Sequence, residues 1–225
     1  MNCDFIARWY RWLEYIGFGG ALERRRCAFL SYVADSHRDI LVLGEGDGRF
    51  LAKFVAPGKP PSNHRENTVR TPCFAVDYVD LSAKMLELAR ARAGTGCVTY
   101  HHADALTISL PAAHYDLIVT HFFLDCLSED EAKSLVEKVT LSAQPHARWL
   151  ISEFREPAMW ARAIVQILYL LFRITTGLRT RRLIDHHPLL SRAGFALVQE
   201  ETERFGLLAS ELWRYGGTFG DNRSR

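Results

Sequence analysis

The chain has 225 residues, of which 48% are hydrophobic and 24% charged, and its formal net charge is +2. This composition is typical of one sizeable globular core, and a charge so close to neutrality does not suggest a nucleic-acid partner. The five cysteines are scattered without a Cys-x-x-Cys pair. That pattern argues against a disulfide framework or a zinc site, so we expect a reducing, cytoplasmic location and no bound metal.

Aromatic residues recur at helical spacing near the start of the chain, among them Trp9, Tyr10 and Trp12. Glycines at 17–20 break this pattern, and a second helix is predicted to follow. Residues 1–38 therefore form a predicted helical cap. It either covers one edge of a sheet or closes over a substrate pocket lined by the three aromatic residues, and the two roles are compatible. The arginine triplet 24–26 is expected to be a solvated face rather than an anion site.

The stretch 39–50 reads Asp-Ile-Leu-Val-Leu-Gly-Glu-Gly-Asp-Gly-Arg-Phe. An apolar run ended by glycines predicts a strand buried on both faces, then a sharp turn into a helix. Such a turn lets the backbone approach a small ligand at the carboxyl edge of a parallel sheet. Dinucleotide-binding loops place the third glycine one residue later than Gly48. Glu45 and Asp47 would also repel a pyrophosphate, so this loop favours a cationic ligand.

A second strand is predicted at 74–77, after a polar, proline-rich loop at 56–72. It ends in Asp77, Tyr78 follows, and either Asp80 or Ser82 is placed to cap the next helix. A carboxylate at the tip of a second strand can accept hydrogen bonds from both hydroxyls of a ribose. Asp77 is therefore the predicted ribose ligand.

The Leu-Gly-Glu-Gly-Asp-Gly loop and the string Val-Asp-Tyr-Val-Asp-Leu-Ser-Ala-Lys-Met-Leu-Glu-Leu-Ala-Arg resemble the class I S-adenosylmethionine (SAM) methyltransferases. The resemblance implies SAM as cofactor. It implies that Asp104, just past the third strand, accepts from the adenine amino group, while the amide of Ala105 donates to a ring nitrogen. The cofactor-binding set expected in this way comprises Gly44, Glu45, Gly46, Asp47, Gly48, Asp77, Tyr78, Asp104, Ala105, His121 and Phe122. Val42 stands where this family usually has an acid, so Glu45, Asp47 or a water would contact the SAM amino group.

The resemblance also implies that the tip of the fourth strand, 115–120, faces the methyl group. His121 is the candidate catalytic base, since its unperturbed pKa lies near neutrality. A histidine bonded to backbone beside the cofactor is the alternative. Phe123 and Asp125 are expected near the acceptor. The sequence Thr-His-Phe-Phe replaces the Asn-Pro-Pro-Tyr of enzymes that methylate adenine or glutamine amides, and so disfavours those acceptors.

Residues 157–172 are the most apolar segment, too short and interrupted to span a bilayer. Within a predicted helical insertion at 157–190, residues 157–182 either bury against the cap or mediate peripheral membrane contact or a homodimer. The resemblance implies a three-layer α/β/α sandwich over 39–215, with a seven-stranded, mostly parallel sheet whose last strand is antiparallel. The N-terminal helical cap precedes it, and a flexible tail at 216–225 follows.

The predicted activity is methyl transfer from SAM to a small or lipophilic acceptor, apolar or aromatic. Correct positioning and exclusion of water can drive such chemistry without a base. Two alternatives stay open. The first is a SAM-binding interaction protein without methyl transfer. The second is a nicotinamide-dependent oxidoreductase, which the glycine spacing disfavours.

Overall fold

A computed structural model describes residues 18, 20–33, 37–56, 74–159 and 183–217. Trp9, Tyr10 and Trp12 lie outside these ranges, and so do residues 160–182 of the predicted helical insertion and 218–225 of the predicted tail. Within the described ranges, no helix combines the length and hydropathy needed to cross a membrane.

Helices and strands alternate along most of the described chain. The helices are α1 (Ala21–Arg26), α2 (Leu30–Val33), α3 (Arg49–Val55), α4 (Ala83–Ala93), α5 (Glu129–Ser142) and α6 (His187–Arg192). The strands are β1 (Asp39–Leu43), β2 (Ala75–Asp80), β3 (Val98–His102), β4 (Tyr115–His121), β5 (Ala143–Phe154), β6 (Phe195–Glu203) and β7 (Leu208–Tyr215).

The seven strands form one sheet in the order β3-β2-β1-β4-β5-β7-β6. Strands β1 to β5 pair in parallel, whereas β7 runs antiparallel to both β5 and β6. This confirms the predicted mostly parallel sheet with a reversed last strand. The parallel order brings the carboxyl ends of β1 to β5 to one edge, where a ligand site is expected in an open α/β sheet.

Apolar side chains cover both faces of the sheet, because parallel strands are buried on both sides. On one face, Val42 and Leu150 pack with residues of α2, α3 and α4. On the other, Leu43 and Trp149 pack with residues of α5 and α6. The three-layer arrangement is therefore as predicted.

Local capping signals place two helices correctly. Ser128 and Glu131 form the predicted capping box of α5, and the Ser82 side chain caps α4 by accepting from the amide of Met85. The predicted single helix after the cap glycines is wrong, because residues 27–29 form a turn between α1 and α2.

The predicted end of the second strand is also wrong. Strand β2 continues past Asp77 to Asp80, and Val79 pairs with Leu43 at the end of β1. The amide of Gly44 then donates to the Val79 carbonyl at 2.9 Å. The acid at the tip of β2 is therefore Asp80, whereas Asp77 lies in the middle of the strand.

Candidate cofactor and acceptor site

The glycine loop between β1 and α3 uses left-handed backbone at each of its glycines. The φ angles are +62° at Gly44, +83° at Gly46 and +76° at Gly48, a region that side chains other than hydrogen rarely adopt. A Cβ on Gly44 would lie 2.2 Å from the Phe123 ring, and one on Gly48 would lie 2.6 Å from Cα of Ala89. A Cβ on Gly46 would meet no atom within 4 Å. Protein packing thus requires two of these glycines, while the third faces open space.

The Glu45 side chain turns into the protein. It is 3% exposed; one oxygen accepts from the Phe50 amide at 3.0 Å in the first turn of α3, and the other contacts the Tyr78 hydroxyl at 3.2 Å. Both carboxylate oxygens thus have partners within the protein, and contact of Glu45 with the cofactor stays a prediction. Its carboxylate satisfies an amide at the start of a helix, which would otherwise lack an acceptor.

Asp47 is buried in the same way and is engaged by two arginines. Arg49 Nε lies 3.0 Å from each of its carboxylate oxygens, and Arg92 of α4 contacts both the carboxylate and the carbonyl of Asp47 at 2.5 Å. Its predicted contact with the cofactor likewise stays a prediction. The two acids stabilise the conformation of the loop, because Glu45 bonds it to α3 and Asp47 bonds it to α4.

Glu45 should make stability depend on pH. Burial raises the pKa of Glu45 from 4.5 to about 7. An acid with a raised pKa contributes its stability below pH 4.5, and this contribution is lost as the pH rises through 7. Glu45→Gln keeps an acceptor for the Phe50 amide and removes the charge. At pH 8 we expect the Gln variant to be more stable than the unaltered protein, with a free energy of unfolding up to about 3 kcal/mol larger.

Urea unfolding at pH 5 and pH 8 checks this expectation. At pH 5 the two proteins should have similar free energies of unfolding, because Glu45 is then already neutral. Glu45→Ala is the control, since it loses both hydrogen bonds and should be less stable at each pH. If the Gln variant were as destabilised as the Ala variant at pH 8, this result would contradict the claim that ionisation of buried Glu45 costs stability.

Tyr78 and Asp77, both predicted to bind cofactor, support other parts of the protein. Tyr78 is fully buried and its hydroxyl donates to the Gly46 carbonyl at 2.8 Å, so it holds the loop from beneath. Asp77 accepts from the Tyr115 hydroxyl at 2.9 Å, and its other oxygen lies 2.7 Å from His101 Nε2. Contact of these two residues with the cofactor stays a prediction, although only the last residue of a strand reaches the edge of the sheet.

Asp80 and Asp104 end up at neighbouring strand tips. One Asp80 oxygen accepts from the Ser82 amide at 2.8 Å, and the Asp80 carbonyl accepts from the Ala103 amide at 3.2 Å. Asp104 follows β3, and one of its oxygens accepts from the Leu106 amide at 2.9 Å. Ala105 is buried beside it. These acids lie on the same side of the glycine loop, where the order β3-β2-β1 places them.

His121 occupies the tip of β4, on the other side of the glycine loop. It is 2% exposed, and its ring packs edge-on against Phe50 with a centroid separation of 4.9 Å. Neither ring nitrogen has a hydrogen-bond partner among the residues that the structure describes. The alternative of a backbone-bonded histidine therefore has no support there. Burial lowers the pKa of His121 well below 6.5, and the charge of Arg26 lowers it further.

Arg26 is a site residue that sequence reasoning missed. It was expected on a solvated face, yet it is 3% exposed, while Arg24 in the same triplet is exposed. Its guanidinium lies 5.1 Å from the centroid of the Phe122 ring, a cation–π distance. The burial arises because α1 packs across β7, which turns one side of that helix inward. The burial of Arg26 could have been predicted only from a helical wheel together with knowledge of which face of α1 packs on the sheet.

The turn after β4 is held by a buried carboxyl group. Glu153 at the end of β5 accepts from the amides of Phe123 and Leu124 at 3.1 and 2.8 Å. Burial raises the pKa of its neighbour Asp125 to about 6. Burial and the charge of Asp125 raise the pKa of Glu153 well above its ordinary value. Phe123 packs on Gly44 of the glycine loop, and Asp125 interacts with Glu153. The predicted contact of these two residues with an acceptor stays a prediction.

A second buried polar cluster surrounds Glu211 of β7. His186 and His187 place their Nε2 atoms 2.9 and 3.0 Å from its carboxylate, Trp213 Nε1 donates at 2.7 Å, and Arg155 donates at 2.5 Å. The two histidines and Glu211 have ligand atoms close enough to hold a metal. The guanidinium of Arg155 already occupies the position of a cation, lying also 3.1 Å from His187 Nε2. The arrangement is that of an ion network.

Comparison with known families shows what this part of the chain is similar to. Residues 40–146 match the family described as a methyltransferase domain. This match supports the class I SAM-dependent methyltransferase family that the sequence resemblance predicted. The match covers β1 to the start of β5, which includes the glycine loop and the tips of β2, β3 and β4. The cofactor of this methyltransferase family is S-adenosylmethionine, as the sequence resemblance implied.

Solved structures agree with this methyltransferase fold. A SAM-dependent methyltransferase from Mesorhizobium loti is 20% identical with a TM-score of 0.61, covering 86% of this chain and 99% of that one. The N-methyltransferase NodS from Bradyrhizobium japonicum, solved with S-adenosyl-L-homocysteine, is 13% identical with a TM-score of 0.58, covering 87% of each chain. The [4+2]-cyclase SpnF is 14% identical with a TM-score of 0.59, covering 85% of this chain and 80% of that one. A comparison with curated protein sequences gives no match.

Proposed function

We propose that this methyltransferase domain moves a methyl group from SAM to a small or lipophilic acceptor. The observation that carries the proposal is the open side of the glycine loop. A Cβ added to Gly46 would have no atom within 4 Å, and Asp80 stands at the adjacent strand tip. A backbone that is bare on its ligand side, next to a carboxylate, suits a nucleoside with an attached amino acid.

Each end of the cofactor has its own set of residues in this proposal. Asp80 takes the role that the sequence had given to Asp77 and accepts from the ribose hydroxyls. Asp104 and the amide of Ala105 meet the adenine. Three inter-strand spacings, about 14 Å, separate β3 from β4. A cofactor with its adenine at β3 therefore extends across the loop toward the tip of β4, where His121 and Phe122 lie.

When bound, SAM supplies an electrophilic methyl group on a sulfonium. The residues of this chain would bring an acceptor in line with it and exclude water, which can account for most of the rate. Phe122 adopts a left-handed backbone with φ of +54°, and such a strained residue at a strand tip fits a positioning role. The lowered pKa of His121 favours its neutral form. A neutral imidazole can act as a base only toward a group within hydrogen-bond reach.

Replacing Asp80 and Asp77 in parallel tests the cofactor site. Asp80→Asn retains an oxygen for the Ser82 amide but loses the charge that favours ribose hydroxyls. We expect its dissociation constant for S-adenosylhomocysteine, measured by calorimetry, to rise about 10- to 100-fold. Asp77→Asn is the matched control, because Asp77 lies deeper in the same strand. It should change affinity less than about threefold, and the reverse pattern would restore Asp77 as the ribose ligand.

Binding of SAM without methyl transfer is the second candidate. The structural similarity to a [4+2]-cyclase supports this candidate, because proteins of one fold can catalyse different reactions. Labelled SAM and NAD should first be compared by equilibrium binding. Saturable binding of NAD but not SAM would refute the proposed function. Binding of SAM, with no methylation across thiol, phenol, amine and quinol acceptors, would favour the non-catalytic candidate.

The acceptor is proposed to be apolar or aromatic. Phe18, Phe122 and Phe154 pack together beside the tip of β4, with ring centroids 5.2 to 5.3 Å apart for the two contacting pairs. Leu207 and Leu208 extend this apolar cluster. The proposed membrane contact or homodimer through 157–182 falls almost wholly on residues outside the described ranges.

A further inference from the structure

A lysine of α5 is bonded to the turn that follows β3. The ammonium group of Lys138 donates to the carbonyl of Ala105 at 3.3 Å and to that of Ile108 at 3.1 Å. It also donates to the carbonyl of Leu106. An ammonium group has three donors and no acceptor, so three carbonyls match its full capacity. The turn is therefore bonded to a helix that lies far from it in sequence.

The helix that carries Lys138 is itself well anchored. Leu135 and Val139, on either side of the lysine in α5, are fully buried in the core between this helix and the sheet. The capping box of Ser128 and Glu131 fixes the residue at which the helix begins. The ammonium group therefore reaches the turn from a helix whose position is set by the core.

One amide of the same turn is left without an acceptor. An Asp104 side-chain oxygen accepts from the amide of Leu106 at 2.9 Å. The Asp104 carbonyl accepts from the amides of Thr107 and Ile108 at 3.0 and 2.9 Å. The amide of Ala105 donates to no acceptor in the part of the chain that the structure describes. Ala105 is only 6% exposed, and an unbonded amide in such a place is satisfied by a ligand or by water.

Resting on the proposed function, we infer that Lys138 is a positioning residue that sets the preference of this site for adenine over hypoxanthine. Adenine presents an amino donor next to a ring acceptor, which matches the Asp104 carboxylate and the Ala105 amide. Hypoxanthine presents a carbonyl acceptor next to a ring N–H donor, the reverse pattern. A site with two fixed polar groups rejects a base that leaves both unpaired. The spacing of these two groups depends on the turn that Lys138 holds.

Calorimetry on the full chain with S-adenosylhomocysteine and S-inosylhomocysteine, which differ only in the base, tests this role. The unaltered protein should bind the adenine compound about 30- to 100-fold more tightly. Lys138→Met should reduce this ratio to about threefold or less, because the two groups of the turn lose their fixed spacing. A substitution that merely destabilises the protein would weaken both compounds alike. Lys133→Met, on the exposed side of the same helix, is the matched control and should keep the full ratio.

Lys138→Gln gives a second measurement, which decides the matter if the Met variant fails to fold. Gln keeps two N–H donors on a shorter side chain, so we expect a ratio between those of the Met variant and the unaltered protein. A full ratio in Lys138→Gln, or in folded Lys138→Met, would overturn the role of Lys138. Equal binding of the two compounds by the unaltered protein would overturn it as well. Failure of the unaltered protein to bind either compound would instead overturn the proposed function.

Discussion

Gly48→Ala is expected to destabilise the protein by about 2 to 5 kcal/mol. The new methyl group would lie 2.6 Å from Cα and 2.7 Å from Cβ of Ala89, a fully buried residue of α4. Backbone atoms in a packed helix cannot swing aside, so α3 and α4 would have to separate. The left-handed φ of +76° adds about 1 to 2 kcal/mol of strain to an overpacking cost of about 1 to 3 kcal/mol.

Gly46→Ala is the matched control, with a similar φ of +83° and no atom within 4 Å of the new methyl group. Its free energy of unfolding should fall by only about 1 to 2 kcal/mol, the cost of placing alanine in a left-handed backbone conformation. Its affinity for S-adenosylhomocysteine should nevertheless fall more than tenfold, because the methyl group occupies the open side of the loop. Urea unfolding and calorimetry measure the two effects. Equal stability losses in the two variants, or unchanged affinity in Gly46→Ala, would contradict the assignment of these glycines.

Glu211→Gln should cost about 3 to 5 kcal/mol of unfolding free energy at pH 7, because it removes the anion from a buried charge network. Burial alone would raise the pKa of Glu211, but hydrogen bonds and charge from His186, with bonds from His187 and Trp213, hold it far below its ordinary value. A lowered pKa contributes stability above pH 4.5 that is lost as the pH falls. The difference in free energy of unfolding between Glu211→Gln and the unaltered protein should therefore become smaller at acid pH.

Urea unfolding at pH 7 and pH 4 checks this second expectation. Glu200→Gln is the control, since Glu200 also pairs with Arg155 but is partly exposed. It should cost less than about 1 kcal/mol. A loss in Glu211→Gln no larger than in the control would contradict the network. Stabilisation of the unaltered protein by added zinc would instead favour a metal at His186, His187 and Glu211.

Local sequence patterns predicted the fold well, because they record local physics. The apolar run at 40–43 and the glycines after it specify a buried strand and a turn through steric and hydrophobic rules alone. Ser128 with Glu131 specifies a helix start. Such signals need no knowledge of distant residues, so the order of elements and the sheet class could be predicted.

The roles of the acids in the site could not be predicted in this way. Sequence places Glu45 and Asp47 in the loop, but only packing decides that Phe50 and Arg92 become their partners within the protein. Asp77 and Asp80 are three residues apart in one strand. The pairing of Val79 with Leu43 decides which of them reaches the edge, and that register depends on contacts between strands.

The sequence by itself therefore determined the sheet, the glycine loop and the resemblance to a methyltransferase class. Only the tertiary structure decided which polar groups are buried and which protein groups they contact. It moved the proposed ribose ligand to Asp80, turned the loop acids inward, and buried Arg26 with His121. The physical reason is that backbone conformation is set mainly by neighbours along the chain, whereas the burial and pairing of a charged group depend on residues brought from elsewhere.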